Sequence, residues 1–130
     1  ATGKKISKQT WNITGKIKEA YHFIKTHSGI QIKESHPELC FSGISGKVCR
    51  FNKKTTEGRN ERMNIIQSVN RNFPGIIENA SKAIKRTVAS TDDIIDAVIL
   101  AVMACKKNQL TRIPELPDYD KEGFVREIVF

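Results

Sequence analysis

The sequence predicts an α/β domain whose sheet is incomplete. Four segments carry helical periodicity, but only two or three carry strand character. A two-stranded sheet is marginal in water unless helices cover it or further strands complete it. The inventory therefore reads as part of an α/β domain.

The first helix is expected from Gln9 to about Lys25. Trp11, Ile13, Ile17, Ala20, Tyr21 and Ile24 recur there at spacings of two to four residues. Ser7 is the candidate N-cap, Gly15 weakens the middle, and Ser28-Gly29 ends it. The isoleucine-rich, alternating run Ile30 to His36 reads as a strand, with Pro37 holding His36 extended and ending the ladder. Ser42 to Lys47 is a Gly/Ser-containing connection to the short apolar piece Val48 to Phe51. Thr55 or Thr56 caps a helix running to about Val69, and Pro74 suits the first position of another reaching about Val88. Ser90 or Thr91 caps a helix continuing to about Lys107, with Asp92 and Asp93 in its first turn and Lys106-Lys107 in its last, as the helix dipole favours. Beyond Pro114 and Pro117, Phe124 to Phe130 reads as a short strand.

The chain has 130 residues, enough for one domain with a single core. Its longest apolar run, Ala97 to Cys105, is far too short to span a membrane, and no basic-then-apolar leader opens it. Ala1 at the start fits initiator removal or a cut within a longer chain. Three cysteines without a CxxC pair argue against a disulfide framework and for a reducing, cytoplasmic setting. The net charge of +8 favours polyanionic partners such as nucleic acid, although it also serves solubility.

The most informative segment is Asp92 to Ala101. From Ile94 to Cys105 the only polar residue is Asp96, so this helix is expected to be buried. A carboxylate there is costly unless it is paired, hydrogen-bonded or bound to a cation. Asp93 and Asp96, or Asp92 and Asp96, share a helical face, and magnesium or manganese takes oxygen ligands of this kind. Helix-dipole stabilisation equally accounts for Asp92 and Asp93, but not for Asp96, deeper in the apolar run. Period-two alternation places Ile30, Ile32, Glu34 and His36 on one strand face, near the end where open α/β sheets carry their sites. An ion pair or a solvated position is the plainer account of Glu34.

Lys53, Lys54, Arg59 and Arg62 cluster at a helix amino terminus, which suits phosphate. A solvated face partly neutralised by Glu57 and Glu61 is the alternative. His36, Cys40 and Cys49 match no common zinc spacing, nothing marks a cysteine as activated, and no glycine-rich phosphate loop is present.

Five segments occur in an order that resembles the domain of unknown function 429 family, a family of predicted RNase H-like nucleases. They are Lys8 to Ile13, Glu34 to Phe41, Lys53 to Arg62, Asp92 to Ala97, and Pro117 to Asp120 with Gly123 and Glu127 to Phe130. The Asp93-x-x-Asp96-Ala97 step also looks like the late-helix acidic pair of Holliday-junction resolvases. The resemblance implies an RNase H-like fold in which acids from a first strand, a fourth strand and a late helix meet around two divalent ions, magnesium or manganese. Glu34 would be the fourth-strand acid and Asp93 and Asp96 the late-helix acids, with Asp92 a substitute for Asp93. His36 and Glu38 belong to the motif as accessory positions. Family members carry three strands and an aspartate ahead of the segment that begins at Gln9, where this chain has eight residues. Residues 1–130 are therefore expected to be the carboxyl-terminal part of one RNase H-like domain.

Two functions follow as expectations. One is phosphodiester hydrolysis in DNA or RNA by the two-metal route, with ions about 4 Å apart, by the parent protein rather than by this segment alone. The other is a non-catalytic module that binds nucleic acid or protein. An open sheet edge would also favour a homodimer or pairing with the absent strands.

Overall fold

The computed structural model describes residues 5, 7–27 and 29–130, without the side chains of residues 9 and 117. Its contacts divide the chain into two units, Ala1–Ile32 and Lys33–Phe130. In the first, α1 (Lys8–Thr26) starts where the Ser7 hydroxyl accepts the Thr10 N–H. Several of its apolar residues are exposed, with Trp11 67% exposed and Ile13, Ile17 and Phe23 also open. Local contacts brace it: Phe23 stacks on His27 at 4.1 Å, and the Lys25 ammonium lies 4.8 Å from the Tyr21 ring centre.

The second unit holds four helices and a three-stranded sheet. In order these are β1 (Glu34–Ser35), α2 (Pro37–Ser45), α3 (Thr56–Val69), α4 (Phe73–Ala83), α5 (Thr91–Cys105), β2 (Arg112–Tyr119) and β3 (Val125–Val129). The sheet order is β1-β3-β2, with β1 parallel and β2 antiparallel to β3. The described residues thus form a mixed α/β fold of five helices and three strands.

Three differences from the sequence reading have physical causes. The strand expected over residues 30–36 contracts to Glu34–Ser35, because β3 offers ladder partners only there, Ile128 and Val129. Pro37 opens α2 instead of only ending a strand. Its missing N–H costs nothing at a helix start. The helix then runs to Gly46, whose φ of 71° forms a left-handed cap. Finally, β2 forms despite two prolines because it is an edge strand whose ladder breaks between Ile113 and Asp118, so the prolines need no ladder bonds. The helix beginning near Pro74 is α4, which ends earlier than expected, at Ala83.

The core is built around α5, packed by α2, α3 and α4. Cys40 and Phe41 of α2, Ile66 of α3, Ile77 of α4, and Ile94, Ile95, Ile99 and Met103 of α5 are its buried members. Phe130 joins from the sheet side and passes so close to α2 that a Cβ on Gly43 would lie 3.1 Å from its ring. Ser35 ties sheet to helix, its hydroxyl donating to Val129 O at 2.7 Å and lying 3.2 Å from Cys40 Sγ. Ser35 is therefore the inward member of β1, while Glu34 is exposed.

Candidate functional site

Asp96 lies on α5 between buried Ile95 and Ile99, with its side chain 18% exposed. One carboxylate oxygen, Oδ2, accepts a hydrogen bond from Lys53 Nζ at 2.7 Å. The other, Oδ1, is buried and has no hydrogen-bond partner among the described residues. One turn earlier, Asp92 Oδ1 faces Arg59 Nε at 3.6 Å, an ion pair too long for a hydrogen bond. Lys53, Arg59, Arg62, Asp92, Ile95 and Asp96 together line a hollow too tight to admit water.

Asp93 points elsewhere. Its carboxylate accepts from both the N–H and the hydroxyl of Ser90, while the Ser90 hydroxyl accepts the Asp93 N–H. This capping box opens α5 and holds the Asp93 carboxyl below its usual range, through the Ser90 bonds first. The α5 acids that share the hollow are therefore Asp92 and Asp96, four residues apart.

The loop carrying Lys53 is fixed by the first turn of α3. Thr55 caps that helix by accepting the Gly58 N–H, and its own N–H and hydroxyl both donate to Asn52 O. Gly58 is obligatory for this approach, since a Cβ there would fall 1.9 Å from Asn52 O. Upstream, the Glu61 carboxylate accepts the N–H groups of Arg50 and Phe51, which hold its pKa down. Lys53 is held above the ordinary lysine range by the Asp96 bond first, with Glu38 and Asp92 adding attraction.

Arg62 was expected among the phosphate-gripping cations. It is instead 4% exposed, with all three guanidinium nitrogens hydrogen-bonded. Nε and Nη2 donate to the two oxygens of Glu38, Nη1 donates to Phe51 O and Gly58 O, and the guanidinium lies over Phe41 at 5.7 Å. Of the four basic positions, Lys53 and Arg59 are half-buried against α5 acids and Lys54 is exposed. Glu38, treated as accessory, is the acid that joins α2 to this network. His36 stands at the α2 N-cap, exposed and without a side-chain capping bond.

Glu34 does not line the hollow. Among the described residues no three His, Cys, Asp or Glu side chains lie close enough together to hold one metal ion. Glu34, Asp93 and Asp96 are thus not gathered into a triad. What the donor set does fit is a hard cation bound by two carboxylates: magnesium commonly takes one or two, completing its shell with water and substrate phosphate oxygens. The orphaned Asp96 Oδ1 is the specific observation behind that fit.

The Glu38–Arg62 pair had no local signal, because its members are 24 residues apart. Gly58 did have one: a glycine inside a helix's first turn marks close backbone approach.

Over residues 1–118 the chain matches the family described as Protein of unknown function (DUF429). It belongs to this family. No curated protein and no solved structure matches the chain. In this DUF429 protein, no helix among the described residues is long and apolar enough to cross a membrane.

Proposed function

We propose that the DUF429 protein to which this chain belongs is a metal-dependent nuclease of RNase H-like type, hydrolysing phosphodiester bonds in DNA or RNA. The observation that carries the reading is the Asp92–Asp96 face of α5, with one buried, unpartnered carboxylate oxygen, bordered by lysine and arginine in a chain of net charge +8. Asp92 and Asp96 would hold magnesium or manganese, and Glu34 would contribute as the fourth-strand acid only through a rearrangement of the strand end. Bound there, the cation supplies Lewis acidity at phosphate oxygens. Exposed Lys54 and half-exposed Arg59 would bind the flanking phosphates. Asp93 keeps α5 started at Thr91 and so keeps Asp96 in place. The three cysteines, all unpaired, suit a cytoplasmic setting.

The test is cleavage of single- and double-stranded DNA and RNA by the full-length protein with magnesium or manganese. Asp96→Asn is expected to abolish turnover, and undiminished cleavage by that variant would remove Asp96 from the reading.

A second reading is a non-catalytic module that binds nucleic acid or protein. The Lys53–Asp96 bond favours it, since a lysine already neutralises the central acid. Salt-sensitive affinity for DNA without turnover would select it.

A further inference from the structure

We infer that Lys53 is a tethered counter-cation that holds the Asp96 carboxylate until a divalent ion displaces it. This rests on Asp92 and Asp96 being cation ligands, but not on cleavage.

Two of the three cations that line the hollow are held very differently. Arg62 is buried, with both Glu38 oxygens and two backbone carbonyls as its acceptors. Lys53 makes one side-chain hydrogen bond, to Asp96 Oδ2, and its side chain is 38% exposed. A lysine ammonium is a compact point charge on a flexible stem. The stem can swing to solvent without disturbing its backbone, which Thr55, Asn52 and Gly58 fix independently. Arg62 has no comparable exit.

The acceptor is also poised for exchange. Asp96 offers Lys53 one oxygen and leaves the other buried and unpartnered, so the carboxylate is only half satisfied. A buried acceptor in that condition is costly, and a cation able to engage both oxygens, or one oxygen each of Asp96 and Asp92, would relieve it. The hollow that Lys53 helps to line is too tight to admit water. Withdrawal of the ammonium is the step that makes room. A positive charge faces Asp96 both before and after exchange, single from Lys53 and double from the divalent ion.

The experiment is a manganese(II) titration of the full chain followed by electron paramagnetic resonance, with thermal unfolding in parallel. Wild type is compared with Lys53→Met, Lys53→Arg and Asp96→Asn. Loss of a half-exposed competing pair is expected to tighten manganese binding by Lys53→Met about fivefold. The same variant should show a larger manganese-dependent rise in melting temperature. Lys53→Arg should bind manganese no more tightly than wild type, and Asp96→Asn should lose affinity. Should Lys53→Met fail to fold, wild type carrying ¹³C-dimethylated lysines gives the same answer: magnesium should move the Lys53 methyl resonance towards those of solvated lysines.

Equal or weaker manganese binding by Lys53→Met, absent binding in both, or an unmoved Lys53 resonance overturns the inference. Cleavage is scored separately. Exchange at Lys53 without turnover on any nucleic acid would keep the inference and remove the hydrolytic reading. Turnover with unchanged manganese affinity would do the opposite.

Discussion

Arg62 clasps Glu38 with two hydrogen bonds, Nε to Oε1 at 3.0 Å and Nη2 to Oε2 at 2.6 Å. The pair joins α3 to α2 above Phe41 and ties the loop at Phe51 to both. Removing Arg62 leaves the Phe51 and Gly58 carbonyls without their donor and the 36% exposed Glu38 carboxylate without its partner, so Arg62→Met is expected to cost about 2 kcal/mol in urea unfolding. Arg62→Lys should recover little, because an ammonium cannot reproduce the two-pronged geometry. The double variant Arg62→Met with Glu38→Gln should be more stable than Arg62→Met alone.

Gly58→Ala tests the seating of Lys53. The added Cβ would meet Asn52 O at 1.9 Å, and both atoms belong to backbone or its first branch, so the loop must move. A loss of about 2 kcal/mol is expected by thermal unfolding. The Lys53–Asp96 bond should weaken with it, seen as an NMR shift at the Lys53 ammonium.

Ser90→Ala removes the hydroxyl that caps α5 and the donor that orients Asp93. The expected loss is about 1 kcal/mol by chemical denaturation. A drop in helical circular dichroism confined to the start of α5 would be too small to detect, so hydrogen exchange at residues 93–95 is the sharper measurement.

Stability should form a plateau with falling limbs on both sides. Asp93, Glu61 and Glu127 are held below the usual carboxylate range by Ser90, by the Arg50 and Phe51 N–H groups, and by Lys33 respectively. Each stabilises above its unfolded pKa, about 4, and loses that contribution as pH falls through the lower folded value. Lys53 has the opposite sign: its raised pKa stabilises fully below about 10.4 and fades as pH climbs through the higher folded value. Urea midpoints across pH should show this shape, with Glu61→Gln flattening the acid limb. An unchanged acid limb in that variant would remove Glu61 as a contributor.

Much of this fold was legible because it is written locally. Ser7, Thr55 and Ser90 each cap the helix they precede, and the apolar run of α5 is indeed the buried centre. What escaped depends on partners distant in sequence. Pro37 suits a strand end and a helix start equally, and only the burial of Cys40 and Phe41 against α5 decides for α2. Alternation along residues 30–36 could not show that Ser35 would face inward, since β3 lies more than ninety residues later. Within the site, spacing put Asp92, Asp93 and Asp96 on one helix but could not divide them. The Ser90 capping box takes Asp93, while Arg59 and Lys53, from another element, take the other two. Family membership was legible from the ordered motifs, because such order survives where individual contacts cannot be read.

The paired prolines of β2 have a consequence for how this sheet can grow. Pro114 has no N–H to offer a neighbour, nor has Pro117, and the irregular stretch between Ile113 and Asp118 turns that border out of register. β3 is already flanked on both sides. An incoming strand would therefore find the border along β2 blunted. The features that let prolines sit in β2 are thus the ones that discourage edge-to-edge stacking along it.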